Sequence, residues 1–135
     1  MPNHRPPSRR DCLLAAAAVA APWPLRAQDA WPTRSITLVS PYPAGGITDL
    51  LCRIVGEELA KALGQSVVIE NRTGASGAIA HTSVAKAAPD GHTLIMGGSA
   101  PTAITPALNK GVNYGPKDFE PIGYVAALPI VLSTH

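Results

Sequence analysis

A chain of 135 residues has the length of one domain, and its composition, 46% hydrophobic and 15% charged, suits a globular core and not a disordered segment. The formal net charge of +2 belongs to the first residues: beyond residue 27 seven Lys and Arg face eight Asp and Glu, a net charge of −1. The basic stripe that nucleic acid or an anionic membrane surface would require is therefore absent.

The chain opens with "MPNHRPPSRR", which sets Arg5, Arg9 and Arg10 ahead of a short apolar run, Cys12 to Ala21, followed by small residues in "PWPLRAQDA". Basic, apolar and then small is the order of a secretory signal, and the apolar run is too short to span a bilayer. Residues 1–27 are expected to be an export signal cleaved after Ala27. The paired arginines of "SRRDCLL" resemble a twin-arginine signal. Cys12 stands where a large apolar residue is usual, so the general secretory route fits as well. Cys52 is then the one cysteine of the mature chain, which leaves no internal disulfide; beside Val55 and Leu59 on a helix, it is expected to be a buried thiol.

From Trp31 the apolar pattern changes period several times. "SITLVS" (35–40) reads as a strand; "TDLLCRIVGEELAKALG" (48–64) places Leu50, Leu51, Ile54, Val55, Leu59, Ala62 and Leu63 on one helical face and stops at Gly64. "SVVIEN" (66–71) is a second strand, "AIAHTSVAKAAPDG" a small-residue helix ended by Pro89, Asp90 and Gly91, and "HTLIMG" (92–97) a third strand. This alternation predicts an α/β fold, a parallel β-α-β-α-β sheet in the spatial order 2-1-3. Further on, "SAPTAITPAL" suggests a short helix entered near Ser99 or Thr102, "NKGVNYGPKDFEP" is turn-rich, and "IGYVAALPIVLSTH" suggests one or two strands broken at Pro129.

In such a sheet the strand-to-helix loops leave by one edge, where ligands bind. The loops are "PYPAGGITD" (41–49), "NRTGASG" (71–77) and "GGSAPTAITP" (97–106). Helix N-termini offer unpaired N–H groups, glycine lets a ligand approach the main chain, and hydroxyls add donors, so the three loops together describe an anion site. Arg72 is the one cation among them, which suits a carboxylate better than a polyphosphate. Each element also has a local reading: Gly45-Gly46 as a tight turn, Thr48 or Asp49 as a helix N-cap, Ser99, Thr102 and Thr105 as caps, and Arg72 as a partner for Glu70. No catalytic constellation is expected. "TGASG" has neither the lysine nor the length of a P-loop, and no GxGxxG follows the first strand. His81, His92 and His135 lack metal-ligand spacing, and Ser76 lacks the flanking pattern of a nucleophile elbow. No metal and no cofactor are expected.

Four spaced motifs occur in order: P-[FY]-x-x-G-G-x-x-D at Pro41–Asp49, E-N-R-x-G-A-x-G at Glu70–Gly77, A-x-P-D-G-x-T-L at Ala87–Leu94, and "KDFEPIG" at Lys117–Gly123. From about Trp31 to His135 the chain resembles the Bug family, the extracytoplasmic solute receptors related to the binding component of tripartite tricarboxylate transporters. The resemblance implies a periplasmic, two-lobed binding protein, not an enzyme, that closes around a small carboxylate or dicarboxylate and delivers it to membrane transporter subunits or a sensor kinase. By motif, its ligand contacts would be Tyr42, Pro43, Ala44, Gly45, Gly46 and Asp49 in the first loop, Ala75, Ser76 and Gly77 in the second, and Ser99, Ala100 and Thr102 in the third. Thr73 stands where proline is common in the family and Ser76 where glycine is common, so a floppier or differently shaped second loop is expected. Family members are more than twice this length, so residues 28–135 are expected to be the N-terminal part of lobe one, ending near the crossover to lobe two. Two alternatives stand beside this reading: an inactive truncated remnant, or a small secreted α/β enzyme using the glycine loops for a phosphate.

Overall fold

Two parallel strand pairings need two crossovers, and a helix supplies each of them. The computed structural model describes residues 31–128; the expected export signal and residues 129–135 lie outside the described residues. Strand β1 (Ile36–Ser40) is the centre of a three-stranded sheet ordered β2-β1-β3, flanked by β2 (Val67–Asn71) and β3 (Thr93–Ile95), both parallel to it. The order is the 2-1-3 expected from the alternation of periods. Ile36 pairs with Val67 and Leu38 with both Ile69 and Leu94, so the β-branched and aliphatic side chains of three strands stand in rows.

Helix α1 (Ile47–Leu63) joins β1 to β2, and α2 (Ala78–Ala85) joins β2 to β3. Successive strand side chains alternate between faces. Leu38 clusters with Cys52 of α1 and with Met96, joined by Leu51, Val55, Val67, Ile69 and Leu94. Val39, on the opposite face of β1, is also fully buried, and α2 packs on β1 and β3. A central strand covered on both faces accounts for the unbroken apolar run in its sequence.

The packing face of α1 keeps Leu51, Val55, Leu59 and Leu63 of the expected face half-buried and the expected Cys52 buried, but turns Leu50 and Ile54 outward. Leu50 and Ile54 are each 52% exposed, while Cys52 and Gly56 are buried. The apolar residues of this helix cover more than half its circumference, and the side against the sheet is the one where Cys52 and Gly56 are flanked by Leu51 and Val55. Gly56 is the point of closest approach: a Cβ there would lie 2.9 Å from Ile69 Cδ1 and 3.4 Å from Val67 Cγ1. The helix ends as read from the sequence, with Gly64 left-handed at φ 66° and its N–H donating to the Ala60 carbonyl at 3.0 Å.

At the far edge of the sheet, the segment before β1 is tied to the turn before β3. The Trp31 indole Nε1–H donates to the Asp90 carbonyl at 3.0 Å, and Arg34 pairs with the Asp90 carboxylate at 2.8 Å. After β3, a π-helical turn (Ala100–Ile104) runs into the short helix α3 (Thr105–Leu108), each bearing a proline in its first turn. The strand expected in "IGYVAALPIVLSTH" is not seen over residues 122–128, which are exposed throughout. A strand needs a hydrogen-bonded neighbour, and among the described residues this segment has no ladder partner.

Filling the helix-to-sheet approach should be costly. Gly56→Leu is expected to lower stability by about 1–3 kcal/mol through overpacking against Val67 and Ile69, read from the urea unfolding midpoint.

Candidate functional site

The C-terminal ends of β1, β2 and β3 lie at one edge of the sheet because all three strands are parallel. The first loop leaves β1 through Pro41, which is fully buried, and turns with the Gly46 N–H on the Pro43 carbonyl at 3.4 Å. Gly45 has φ 83° and open space where a side chain would begin. Gly46 occupies the N-cap of α1, where Thr48 or Asp49 was an alternative from sequence, and Asp49 falls in the third helical position.

From that position the Asp49 carboxylate, 3% exposed, reaches back and is saturated by protein donors. Oδ2 accepts from the Gly45 N–H at 3.0 Å and from Arg53 Nε at 2.9 Å; Oδ1 accepts from Arg53 Nη2 at 3.2 Å and from Asn71 Nδ2 at 3.0 Å. The Arg53 hydrogen bonds first, then those of Gly45 and Asn71, hold its pKa at about 2. Asn71 also donates to the Tyr42 carbonyl at 3.1 Å, and Ser40 Oγ donates to the same oxygen at 3.3 Å. Asp49 and Asn71 thus clamp the first loop to the start of α1 and the end of β2.

In the second loop four successive residues have positive φ: Gly74 at 121°, Ala75 at 46°, Ser76 at 53° and Gly77 at 89°. For Ala75 and Ser76 this left-handed backbone costs about 1–2 kcal/mol each. The turn is closed by the Gly77 N–H on the Gly74 carbonyl at 2.9 Å. Arg72, the one cation of the three loops, is directed elsewhere: its guanidinium is bidentate to Glu70 at 2.7 and 2.8 Å and donates to Ser83 Oγ at 2.7 Å. The one cationic side chain of the three loops is thus engaged with protein groups.

The third loop exposes Gly97, Gly98, Ser99 and Ala100 and then buries Pro101. The Thr102 hydroxyl lies 3.1 Å from His81 Nε2. All three loops meet at Gly77. A Cβ on that residue would stand 3.2 Å from Cβ of Pro41, in the first loop, and 3.1 Å from Cβ of Pro101, in the third. Around this contact the outer residues Pro43–Gly46, Thr73–Ser76 and Gly97–Ala100 are exposed and mostly small. The first turns of α1 and α2 leave N–H groups without intrahelical acceptors beside them.

Of the expected contacts, the structure brings Pro43, Ala44, Gly45, Gly46, Ala75, Ser76, Ser99 and Ala100 to one exposed rim, with Tyr42 half-buried behind it. Gly77 and the Thr102 side chain lie beneath, engaged in contacts between loops, and Asp49 is the clamp already described. Sequence reasoning did not single out Arg53, Asn71 or His81. Arg53 follows Asp49 by one helical turn and Asn71 stands in the E-N-R motif, so both carried a signal. His81 follows Gly77 by one helical turn, but its link to Thr102, 21 residues on in another loop, carried no signal. A shallow hollow of about 290 Å³ between α1 and β2 is lined by Arg53, Gly56, Glu57, Ala60, Val67 and Ile69 and includes none of the expected contact residues.

Residues 51–135 match the family model described as tripartite tricarboxylate transporter family receptor. BugT of Bordetella pertussis is 39% identical over 125 residues, which are 91% of this chain and 37% of BugT. Among solved structures, MatC from Rhodopseudomonas palustris with bound malate aligns at TM-score 0.67 and 45% identity, over 70% of this chain and 33% of MatC. R. palustris Rpa4515 with adipate aligns at TM-score 0.51 and 50% identity, over 52% of this chain and 23% of that one. The chain spans little more than a third of the length of the curated relatives it matches.

Two outcomes follow from the clamp and the contact point. Asp49 has a pKa of about 2 against an ordinary 3.8, so the stability it contributes is complete above the ordinary value and is lost as pH falls through the lower one. Urea midpoints measured from pH 5 down to pH 2 should fall for the parent protein and fall less for Asp49→Asn. Gly77→Ala should cost at least about 1–2 kcal/mol from its left-handed φ alone, with a further cost from crowding Pro41 and Pro101, measured by thermal unfolding.

Proposed function

The chain belongs to the tripartite tricarboxylate transporter receptor family, and from that membership we propose that it binds a small carboxylate- or dicarboxylate-bearing metabolite where its three strand-to-helix loops meet. The observation that carries this reading is the convergence of those loops on Gly77, which gathers exposed main chain and helix N-termini at one sheet edge. A carboxylate accepting N–H groups there gains charge-assisted hydrogen bonds and the favourable end of two helix dipoles. Relatives with bound malate and adipate support the same class of ligand.

Tyr42, Pro43, Ala44, Gly45 and Gly46 form the first contact segment, Ala75, Ser76 and Gly77 the second, and Ser99, Ala100 and Thr102 the third. Asp49 acts here through shape: with its oxygens occupied by Gly45, Arg53 and Asn71, it fixes the loop and its charge is balanced by Arg53. The role is binding and delivery without turnover, because both charged side chains of the loops, Asp49 and Arg72, are committed to other protein groups. The setting is the periplasm, reached through the N-terminal export signal, and the receiving partners are membrane transporter subunits or a sensor kinase.

Calorimetric titration of the exported protein with malate and adipate tests this reading. Heat is expected with at least one dicarboxylate and none with its diamide, which keeps the shape and removes the charge. Ala44→Glu, an exposed change on the rim, should weaken binding at least about tenfold through charge repulsion without lowering the unfolding temperature. Equal responses to the acid and the diamide, or no response to either acid, would reject the proposal.

A further inference from the structure

His81 is fully buried, yet it belongs to no constellation that the sequence suggested. Its Nδ1 lies 2.9 Å from the Gly77 carbonyl and its Nε2 3.1 Å from Thr102 Oγ1. A carbonyl can only accept, so Nδ1 carries the hydrogen. Burial lowers the pKa of the ring, the Gly77 hydrogen bond raising it by less, which keeps the imidazole neutral and leaves Nε2 a lone pair for the Thr102 hydroxyl to donate into. One side chain of α2 therefore holds a main-chain atom of the second loop with one nitrogen and a side chain of the third loop with the other.

The ring is itself held in place. Tyr114 stacks on it with centroids 5.6 Å apart, and Phe119 meets it edge-on at 5.5 Å. The Tyr114 hydroxyl donates to the Pro101 carbonyl at 2.7 Å, one residue from Thr102. Tyr114 is the titratable group against the ring, and its own pKa is raised by burial, so it stays neutral. The imidazole's hydrogen-bond and remaining ring partners among the described residues, the Gly77 carbonyl, the Thr102 hydroxyl and the Phe119 ring, carry no charge.

We propose that His81 is a positioning residue that sets the second and third ligand loops at a fixed separation, through Nδ1–H to the Gly77 carbonyl and Nε2 from the Thr102 hydroxyl. This rests on the reading that both loops contact ligand. The Gly77 amide, bonded to the Gly74 carbonyl, and the Thr102 amide, bonded to the Gly98 carbonyl, lie inside those loops and report their order directly.

The test is hydrogen exchange of these two amides by NMR in the full chain, with the amides of Ile36–Ser40 as reference. His81→Phe keeps an aromatic ring against Tyr114 and Phe119 and removes both nitrogens; His81→Gln restores one donor and one acceptor. Losing two hydrogen bonds of ordinary strength should speed exchange at Gly77 and Thr102 about tenfold or more in His81→Phe, with the reference strand unchanged and part of the protection recovered in His81→Gln. The parent protein should lose protection at both amides as pH falls below the ordinary imidazole value of 6.5, since the neutral ring's contribution is complete above that value and declines beneath it. His81→Phe should show no such dependence. Unchanged exchange at both amides, or equal acceleration in the reference strand, would overturn the proposal. Malate and adipate titrations separate the two claims: if the parent binds neither, the carboxylate reading fails, while exchange still decides the role of His81.

Discussion

The absence of a side chain at Gly77 permits the contact on which the site depends. Pro41 and Pro101 approach from two other loops to within van der Waals distance of the point where a Cβ would begin. Both prolines are fully buried, and their rings are stiff, so neither can yield as a long side chain would. Three loops that leave one sheet edge do not have to touch; here a glycine with φ 89° lets them. The contact brings exposed stretches of main chain from distant parts of the chain to one rim.

Polar side chains then hold each loop to its neighbours. Asp49 is an acid buried at a helix start, which would be unfavourable without partners. Gly45, Arg53 and Asn71 supply them, so the charge stabilises the first loop instead of destabilising the core. His81 does for the second and third loops what Asp49 does for the first, with a neutral ring in place of an anion. Satisfied buried polar groups of this kind admit few alternative arrangements, because leaving any one donor or acceptor unpaired carries a desolvation penalty. The proposed recognition of a ligand through main-chain atoms would need such rigidity, since the backbone has no rotamers with which to adapt.

The second loop stores strain beside these contacts. Ala75 and Ser76 occupy left-handed backbone between two glycines that occupy it freely. Such residues persist where surrounding contacts over-determine the conformation. Here the Gly77 junction and the His81 hydrogen bond stand on the C-terminal side, and Arg72, paired with Glu70 and Ser83, stands on the N-terminal side. Ser76 is exposed and holds its φ of 53°. The match to receptors with bound malate and adipate is thus accompanied by a loop framework whose parts brace one another.

Much of this was legible in the chain of amino acids. The switch between strand and helix periods specified a parallel sheet in the order 2-1-3, Gly64 marked the end of α1, and the glycine-rich joints marked the loops that share one sheet edge. These are local properties, and periodicity and turn chemistry report them directly. The sequence left several matters open. It gave Cys52 as a buried thiol, Glu70 as one partner for Arg72 and a cap as one role for Asp49, but it did not show that Leu50 and Ile54 would stay exposed beside a buried Gly56, or that Gly45, Arg53 and Asn71 together would share the Asp49 carboxylate. Nor did it couple His81 to Gly77 and Thr102. Each of these is a choice among partners of similar chemistry, settled by which groups the fold carries into contact. The sequence by itself determined the elements, their order and the sheet edge at which the glycine-rich loops emerge; only the tertiary structure decided which loops touch, because the contacts of Asp49 with Asn71, of His81 with Thr102 and of Gly77 with Pro41 and Pro101 join residues that are remote along the chain.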